Sequence, residues 1–342
     1  MKTCKYGTNR VIEPKGVLPQ AAVRVDNTME IYDNEILIDV ITLNIDSASF
    51  TQIKKACNKD INKMEEMILD IVKTKGKMQN PVTGSGGMLI GSIAKIGKDF
   101  PNKSIKVGDK IATLVSLSLT PLVINKINSV NIDNDQVNIE GQAILFESGI
   151  FAKVPNDMDE HLVLAALDVA GAPAQVNKLV KKGDTVAIIG AAGKSGVLCA
   201  YQAMINAGDN GKVIGVVNEE KQITQLEELG LCHEIVLADA TNAIDVYDKV
   251  MAVNKEAVDV TINVVNVQNT EMSCILITKD TGTVYFFSMA TSFTKAALGA
   301  EGVGSDVTMI IGNGYTKGHA ELTLDLVNNA PKIKELFERI YT

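Results

Sequence analysis

Beyond Gly183 the chain alternates between two hydrophobic patterns. Short continuous apolar runs occur at TVAIIG (185–190), KVIGVV (212–217), EIVLAD (234–239), DVTINVV (259–265) and GTVYFFSM (282–289). Between them lie segments with apolar residues at helical spacing, such as 196–207 and 219–229. Continuous runs of this length predict strands covered on both faces. Their alternation with helices predicts an α/β architecture, a Rossmann doubly wound parallel sheet. Residues 156–180 read as one or two helices, and 318–341 as a helical tail interrupted only by Pro331.

The first half has a different rhythm. Residues 35–43 alternate loosely, and 88–97 and 110–115 are further short apolar runs near Gly-Asp turns. This pattern predicts a barrel-like antiparallel domain. One helix interrupts it: in 58–75 the apolar residues Ile61, Met64, Met67, Ile68, Ile71 and Val72 fall on one face. The change of rhythm near Pro155 places the first domain at 1–155 and the Rossmann domain at 156–311.

Composition narrows the function. A chain of 342 residues has the length of two domains. A net charge of -8 argues against a general nucleic-acid binder. The N-terminus has no apolar leader, and no run approaches the ~18 apolar residues of a membrane span. Cys4, Cys57, Cys199, Cys232 and Cys274 are scattered, as free thiols in a reducing cytoplasm are. The expectation is a cytoplasmic protein acting on a small molecule, with no nucleic-acid or membrane partner.

The strongest chemical signal is DTVAIIGAAGKSGVLCAYQA. Gly190, Gly193 and Gly196 follow a strand and open a helix, the context a dinucleotide-binding turn requires. Around them Ala191, Ala192, Lys194 and Ser195 complete the turn, with Lys194 equally readable as a surface lysine. Dinucleotide enzymes usually end the next strand with a carboxylate for the ribose. Here Asn218 stands there, with no arginine beside it, so NAD and NADP both remain open. Asp239, after the third strand, is a candidate for adenine or ribose, or else a helix cap. Val265 and Ser288, at the ends of the next two strands, complete the cofactor candidates.

These features resemble the medium-chain dehydrogenase/reductase superfamily. EILIDVITLNIDS, PVTGSGGMLIGSIAKIG, VGDKIATL, FAKVPNDMDEHLVLAALDVAGAP and GDTVAIIGAAGKSG follow one another in its order. The resemblance implies a GroES-like β-barrel domain, a Rossmann domain, and a return of 312–342 to the first domain. It also implies a homodimer or homotetramer. The zinc-dependent members' ligands are missing: Asp46 replaces a cysteine, Gly84-Ser85-Gly86 replaces Gly-His-Glu, and no cysteine lies near Gly171-Ala172-Pro173. Ser, Gly and Ala cannot stand in for thiolate and imidazole, so the resemblance implies a zinc-independent oxidoreductase with no metal.

Longer blocks, CKYGTNRVIEPKGVLPQ, LAALDVAGAPAQ and FFSMATSFTKAALGAEGVG among them, are similar to a branch that acts on diamino acids. That similarity implies oxidative deamination of L-erythro-3,5-diaminohexanoate to 5-amino-3-oxohexanoate and ammonia, with NAD(P) reduction, in anaerobic lysine degradation. Such chemistry needs a base for the amine and acids for the ammonium groups. Asp46, at the zinc-ligand position, is the first candidate, with Ser47 to orient it; its bland alternative is a turn aspartate. Glu147 and Asp168, both amid apolar residues, are further acids, each also readable as a structural ion pair. Arg10 is a candidate for the substrate carboxylate or else a surface arginine, and Tyr315 and Lys317 are candidates to approach the substrate site where the chain returns to the first domain. His161, His233 and His319 read as surface or capping residues, and Met289 as core. The alternatives are a zinc-free quinone or enoyl reductase of the same superfamily, which would gain nothing from buried acids, and a non-enzymatic nucleotide-sensing Rossmann protein.

Overall fold

The computed structural model describes residues 3–312 and 314–341, with the side chain of Tyr341 left out. The chain divides into two compact units, the second spanning Val169–Ile340.

The first unit contains β1 (Val11–Glu13), β2 (Arg24–Val25), β3 (Glu35–Asn44), α1 (Ser47–Ala56), α2 (Ile61–Lys75), β4 (Met88–Ile96), β5 (Lys110–Thr113), β6 (Leu122–Asn131), β7 (Gln136–Phe146), β8 (Phe151–Lys153) and α3 (Glu160–Leu167). Six strands form one antiparallel sheet in the order β6-β7-β3-β4-β5-β8. β3 is its centre, and its pairing slips on both sides between Val40 and Thr42. Such irregularities bend a sheet and let it wrap a core. That core joins Ile36, Ile38 and Leu43 of β3 to Phe50 and Ile53 of α1 and to Met64 and Ile68 of α2.

Among the described residues, two buried cations sit in this unit. Lys77 is fully covered and donates to the carbonyls of Pro19 at 2.6 Å and Gln20 at 3.3 Å. Arg10 is 1 % exposed and pairs with Glu35, itself 1 % exposed.

The second unit contains α4 (Gly171–Leu179), β9 (Thr185–Ile189), α5 (Lys194–Ala207), β10 (Lys212–Val217), α6 (Glu220–Leu229), β11 (Glu234–Leu237), α7 (Ala243–Asn254), β12 (Val258–Asn263), α8 (Glu271–Ile277), β13 (Thr278–Phe286), α9 (Phe293–Val303), β14 (Thr308–Ile311), α10 (His319–Asn329) and α11 (Pro331–Tyr341). The sheet is parallel throughout, in the order β11-β10-β9-β12-β13-β14. Read from β9 as strand one, this is 3-2-1-4-5-6, the doubly wound dinucleotide-binding order. Its switch point lies between β9 and β12, and ligands in such sheets bind outside the strand ends there.

Four expectations change. The division falls after Asp168 rather than near 155, because α3 packs on β4 within the first unit. The tail of 312–342 does not complete the first domain: up to Ile340 it belongs to the second unit. There α10 packs on α4 and α5 with Ala320, Leu326 and Val327 buried. His319 is buried rather than at the surface, and Met289 is 76 % exposed rather than core.

Candidate active site

The three glycines of the turn do three different jobs. Gly190, directly after β9, has φ +88°, a conformation that costs a side-chain-bearing residue. Gly196 packs so tightly that an added Cβ would lie 2.1 Å from the Gly190 carbonyl oxygen. Gly193 is different: a Cβ there would meet only that oxygen, at an ordinary 3.5 Å. Its emptiness is therefore space outside the protein's own packing. Gly193 is the N-cap of α5 and no side chain caps that end, which is where a pyrophosphate binds in a turn of this kind.

A cleft of about 310 Å³ opens beside the turn. Gly190, Ala192, Gly193, Asn218, Asp239 and Val265, all expected as cofactor residues, line it. Ala191 is buried under the turn, and Lys194, Ser195 and Gly196 begin α5 without lining the cleft. Ser288 does not line it either; its hydroxyl accepts from the Ala290 N–H at 3.1 Å, closing the turn after β13. The sequence reading missed Gln222, Thr241 and Asn266, which also line the cleft. Gln222 was findable: it lies four residues after Asn218, and its Oε1 accepts from the Asn218 N–H at 3.2 Å. Asp239 does not cap α7; Asn242 does. Instead its Oδ1 accepts from the Thr241 N–H at 2.9 Å and hydroxyl at 2.8 Å. Those bonds hold the Asp239 carboxyl below the usual carboxylate range. The turn and cleft fit a nicotinamide dinucleotide.

In the first unit, Asp46 is the N-cap of α1, with Oδ1 accepting from the Ser49 N–H at 3.0 Å. Its Oδ2 is buried and has no hydrogen-bond partner among the described residues. Leaving a carboxylate oxygen buried and unpaired is costly, so this atom is the unit's clearest mark of a missing cation or donor. The loop before β4 runs against it. Gly87 has φ +105°, and a Cβ there would lie 2.0 Å from the Asn44 carbonyl oxygen and 2.7 Å from the Asp46 nitrogen. At Gly86 a Cβ would lie 2.4 Å from the Met78 carbonyl oxygen, so no glutamate fits where zinc-dependent enzymes have one. Among the described residues no group of three His, Cys, Asp or Glu could hold a metal.

A latch fixes this corner. Asn80 is fully buried; its amide donates to Gln52 at 2.7 Å and the Ser49 carbonyl at 3.3 Å. Its Oδ1 accepts from the N–H groups of Val82 at 2.8 Å and Thr83 at 3.2 Å. The Thr83 and Ser49 hydroxyls bond each other at 2.5 Å. None of these was expected from the sequence: the Val82 and Thr83 bonds are local to Asn80, but the bonds that tie this loop to α1 join residues about thirty positions apart.

Other candidates fall elsewhere. Ser47 is exposed and makes no hydrogen bond to Asp46; Ser49 has that role. Glu147 follows β7 in a turn, accepting from Asn34 at 2.9 Å, and Asn34 in turn holds Thr3. It sits at the Glu35 end of β3, whereas Asp46 follows the Asn44 end. Ten residues of strand separate the two acids by roughly 30 Å, so Glu147 does not share a site with Asp46. Arg10 is neither a surface residue nor a substrate ligand. Its guanidinium grips Glu35 at 2.9 and 2.7 Å and the carbonyls of Asp26, Thr28 and Glu30, which uses all five donors. Asp168 is half-buried as the C-cap of α3. Tyr315 is exposed, edge-on to His319 at 5.1 Å, and lines a separate cleft with Gln175 and Lys178.

Comparison with known proteins matches this arrangement. Solved structures of the same fold include CurK enoyl reductase, at TM-score 0.57 and 15 % identity over 90 % of this chain and 82 % of that one. An alcohol dehydrogenase from Thermotoga maritima gives TM-score 0.57 and 14 % identity over 90 % and 85 %. A mycobacterial protein complexed with NADPH gives TM-score 0.54 and 15 % identity over 95 % and 86 %. Residues 9–155 match the L-erythro-3,5-diaminohexanoate dehydrogenase N-terminal domain. The L-erythro-3,5-diaminohexanoate dehydrogenase of Acetoanaerobium sticklandii is 60 % identical over 100 % of both chains. That of Fusobacterium nucleatum is 60 % identical over 99 % of both. The chain therefore belongs to the L-erythro-3,5-diaminohexanoate dehydrogenase family.

Proposed function

We propose that the chain oxidatively deaminates L-erythro-3,5-diaminohexanoate to 5-amino-3-oxohexanoate and ammonia, with NAD as the hydride acceptor and NADP as the alternative. The observation that carries this reading is 60 % identity along the whole chain to two relatives named for that substrate. The glycine turn and its cleft support the nicotinamide requirement.

Gly190, Gly193 and the start of α5 would hold a nicotinamide dinucleotide beside the cleft, and that group would supply the acceptor for the hydride of the carbon bearing the 3-amine. That amine enters as an ammonium and must lose a proton before its lone pair can assist. Asp46 is the residue assigned to this proton. Its unpaired Oδ2 is an acceptor whose burial cost falls when a cation pairs with it. Loss of hydride and proton leaves a carbon–nitrogen double bond; water adds to it, and ammonia leaves as the ketone forms. Asp168, the half-buried acid capping α3, is assigned to the distal 5-ammonium. The likeness to enoyl and quinone reductases, at 12–17 % identity, carries the fold alone.

The test offers the L-erythro diamino acid, its stereoisomers, a quinone and an enone to the chelated protein, with each cofactor. Nicotinamide reduction by the L-erythro isomer is the expected result. Turnover of the quinone or enone instead would overturn the reading.

A further inference from the structure

The strand that usually carries the ribose-reading carboxylate, β10, ends here in Val217 and Asn218. The neighbouring strand supplies an acid. β10 and β11 pair in parallel with Val217 opposite Leu237, and the Ala238 N–H donates to the Val217 carbonyl at 2.8 Å. Asp239 is thus one strand over, about 4.8 Å, and one residue beyond the position level with Asn218. Both line the cofactor cleft, and Asp239 is its only charged lining residue among those described.

The rest of the neighbourhood is built the same way. Asn218 and Gln222 are neutral, and Gln222 spends its carbonyl oxygen on the Asn218 N–H. The nearest lysine in sequence, Lys221, is held by Glu219 at 2.6 Å. Glu219 and Glu220 add negative charge at the start of α6. The Asp239 carboxylate is held in place: Oδ1 takes both bonds from Thr241, and among the described residues no hydrogen bond reaches Oδ2. A fixed carboxylate with one oxygen in hand is an acceptor for a ribose hydroxyl and repels a phosphate in its place.

We propose that Asp239 is the specificity-determining residue for the cofactor, accepting from the adenosine ribose 2′-hydroxyl of NAD and excluding the 2′-phosphate of NADP. This rests on the reading of the glycine cleft as the cofactor site. The carboxylate function has moved from β10 to β11, which is why the end of β10 looks indifferent in the sequence.

The experiment titrates the full chain with NAD and with NADP, for the wild type and Asp239→Asn. Asparagine keeps the turn to Thr241, because its side-chain oxygen accepts the same bonds, and a thermal melt checks the fold. The wild type should bind NAD at least tenfold more tightly than NADP. Asp239→Asn should weaken NAD severalfold and shrink the NAD-to-NADP ratio about tenfold. An unchanged ratio, or equal weakening of both cofactors, would place Asp239 on the adenine or nowhere and overturn the proposal while sparing the cleft. A wild type that prefers NADP would also overturn it. A wild type that binds neither would remove the cleft reading and the proposal together.

Discussion

At the residue scale, the glycine triplet separates structure from function. Gly190 and Gly196 are required by backbone conformation and packing, but Gly193 is open on the protein's side. Gly193→Val should leave the melting temperature nearly unchanged and weaken NAD binding at least tenfold, read by titration; unchanged affinity in the folded variant would contradict the pyrophosphate assignment. Asp46→Asn keeps the helix cap, since asparagine caps as well as aspartate, but loses the base. The expected fall in kcat is about 10²-fold with little change in cofactor affinity; near wild-type kcat would remove Asp46 from the chemistry. Asp46 was singled out only by its position in the superfamily resemblance, whereas the glycine turn was legible because it sits in a local strand–turn–helix pattern. Arg10 and Glu147 misled for the opposite reason. Their partners, Glu35 and Asn34, are far off in sequence, and no local pattern shows which end of β3 a residue will reach.

At the scale of elements, the Rossmann strands were legible because strands covered on both faces are continuously apolar. β9 and β10 lie where the sequence placed them, and β12 and β13 begin and end within a few residues of it. β14 was not seen. Thr308–Ile311 is a short edge strand with an exposed end, so it lacks a buried run's signature. β6 was missed similarly: its outer positions are polar, Asn125 and Lys126 among them. α1 hid behind the extended pattern of β3, although Asp46 capping Ser49 is a local start signal. The latch that joins α1 to the loop before β4 gives this scale its prediction. Asn80→Ala leaves the Ser49 carbonyl and the Val82 and Thr83 N–H groups without their partner. The cost should be about 1–3 kcal/mol in denaturant unfolding, with kcat reduced alongside because Ser49 holds Asp46. Stability equal to wild type would show that the latch holds nothing.

At the scale of the whole molecule, one buried group should be visible in the pH dependence of stability. Burial, with Lys75 adding repulsion, lowers Lys77 from 10.5 to about 8. Between those values the unfolded chain binds more protons than the folded one, so this group makes stability rise with pH across the window. Its contribution is complete above 10.5 and lost as pH falls through about 8. Lys77→Met should remove about 1–3 kcal/mol of that rise, measured by denaturant titration on either side of the window; an identical pH dependence in the variant would refute the assignment. Activity should rise toward alkaline pH for a separate reason, since the reacting amine must be neutral before hydride leaves.

Two-domain organisation was legible from the change of rhythm, but not the boundary, because α3 and α4 both read as helix and only packing assigns them to different units. The substrate came from extended similarity, since composition and periodicity carry no information about a diamino acid. The most direct measurement is therefore the stoichiometry of products from L-erythro-3,5-diaminohexanoate, NAD and chelated protein in mildly alkaline buffer. Ammonia and reduced nicotinamide should appear in equal amounts, with 5-amino-3-oxohexanoate matching both. Reduced nicotinamide without ammonia, or neither product from a folded protein that binds NAD, would contradict oxidative deamination.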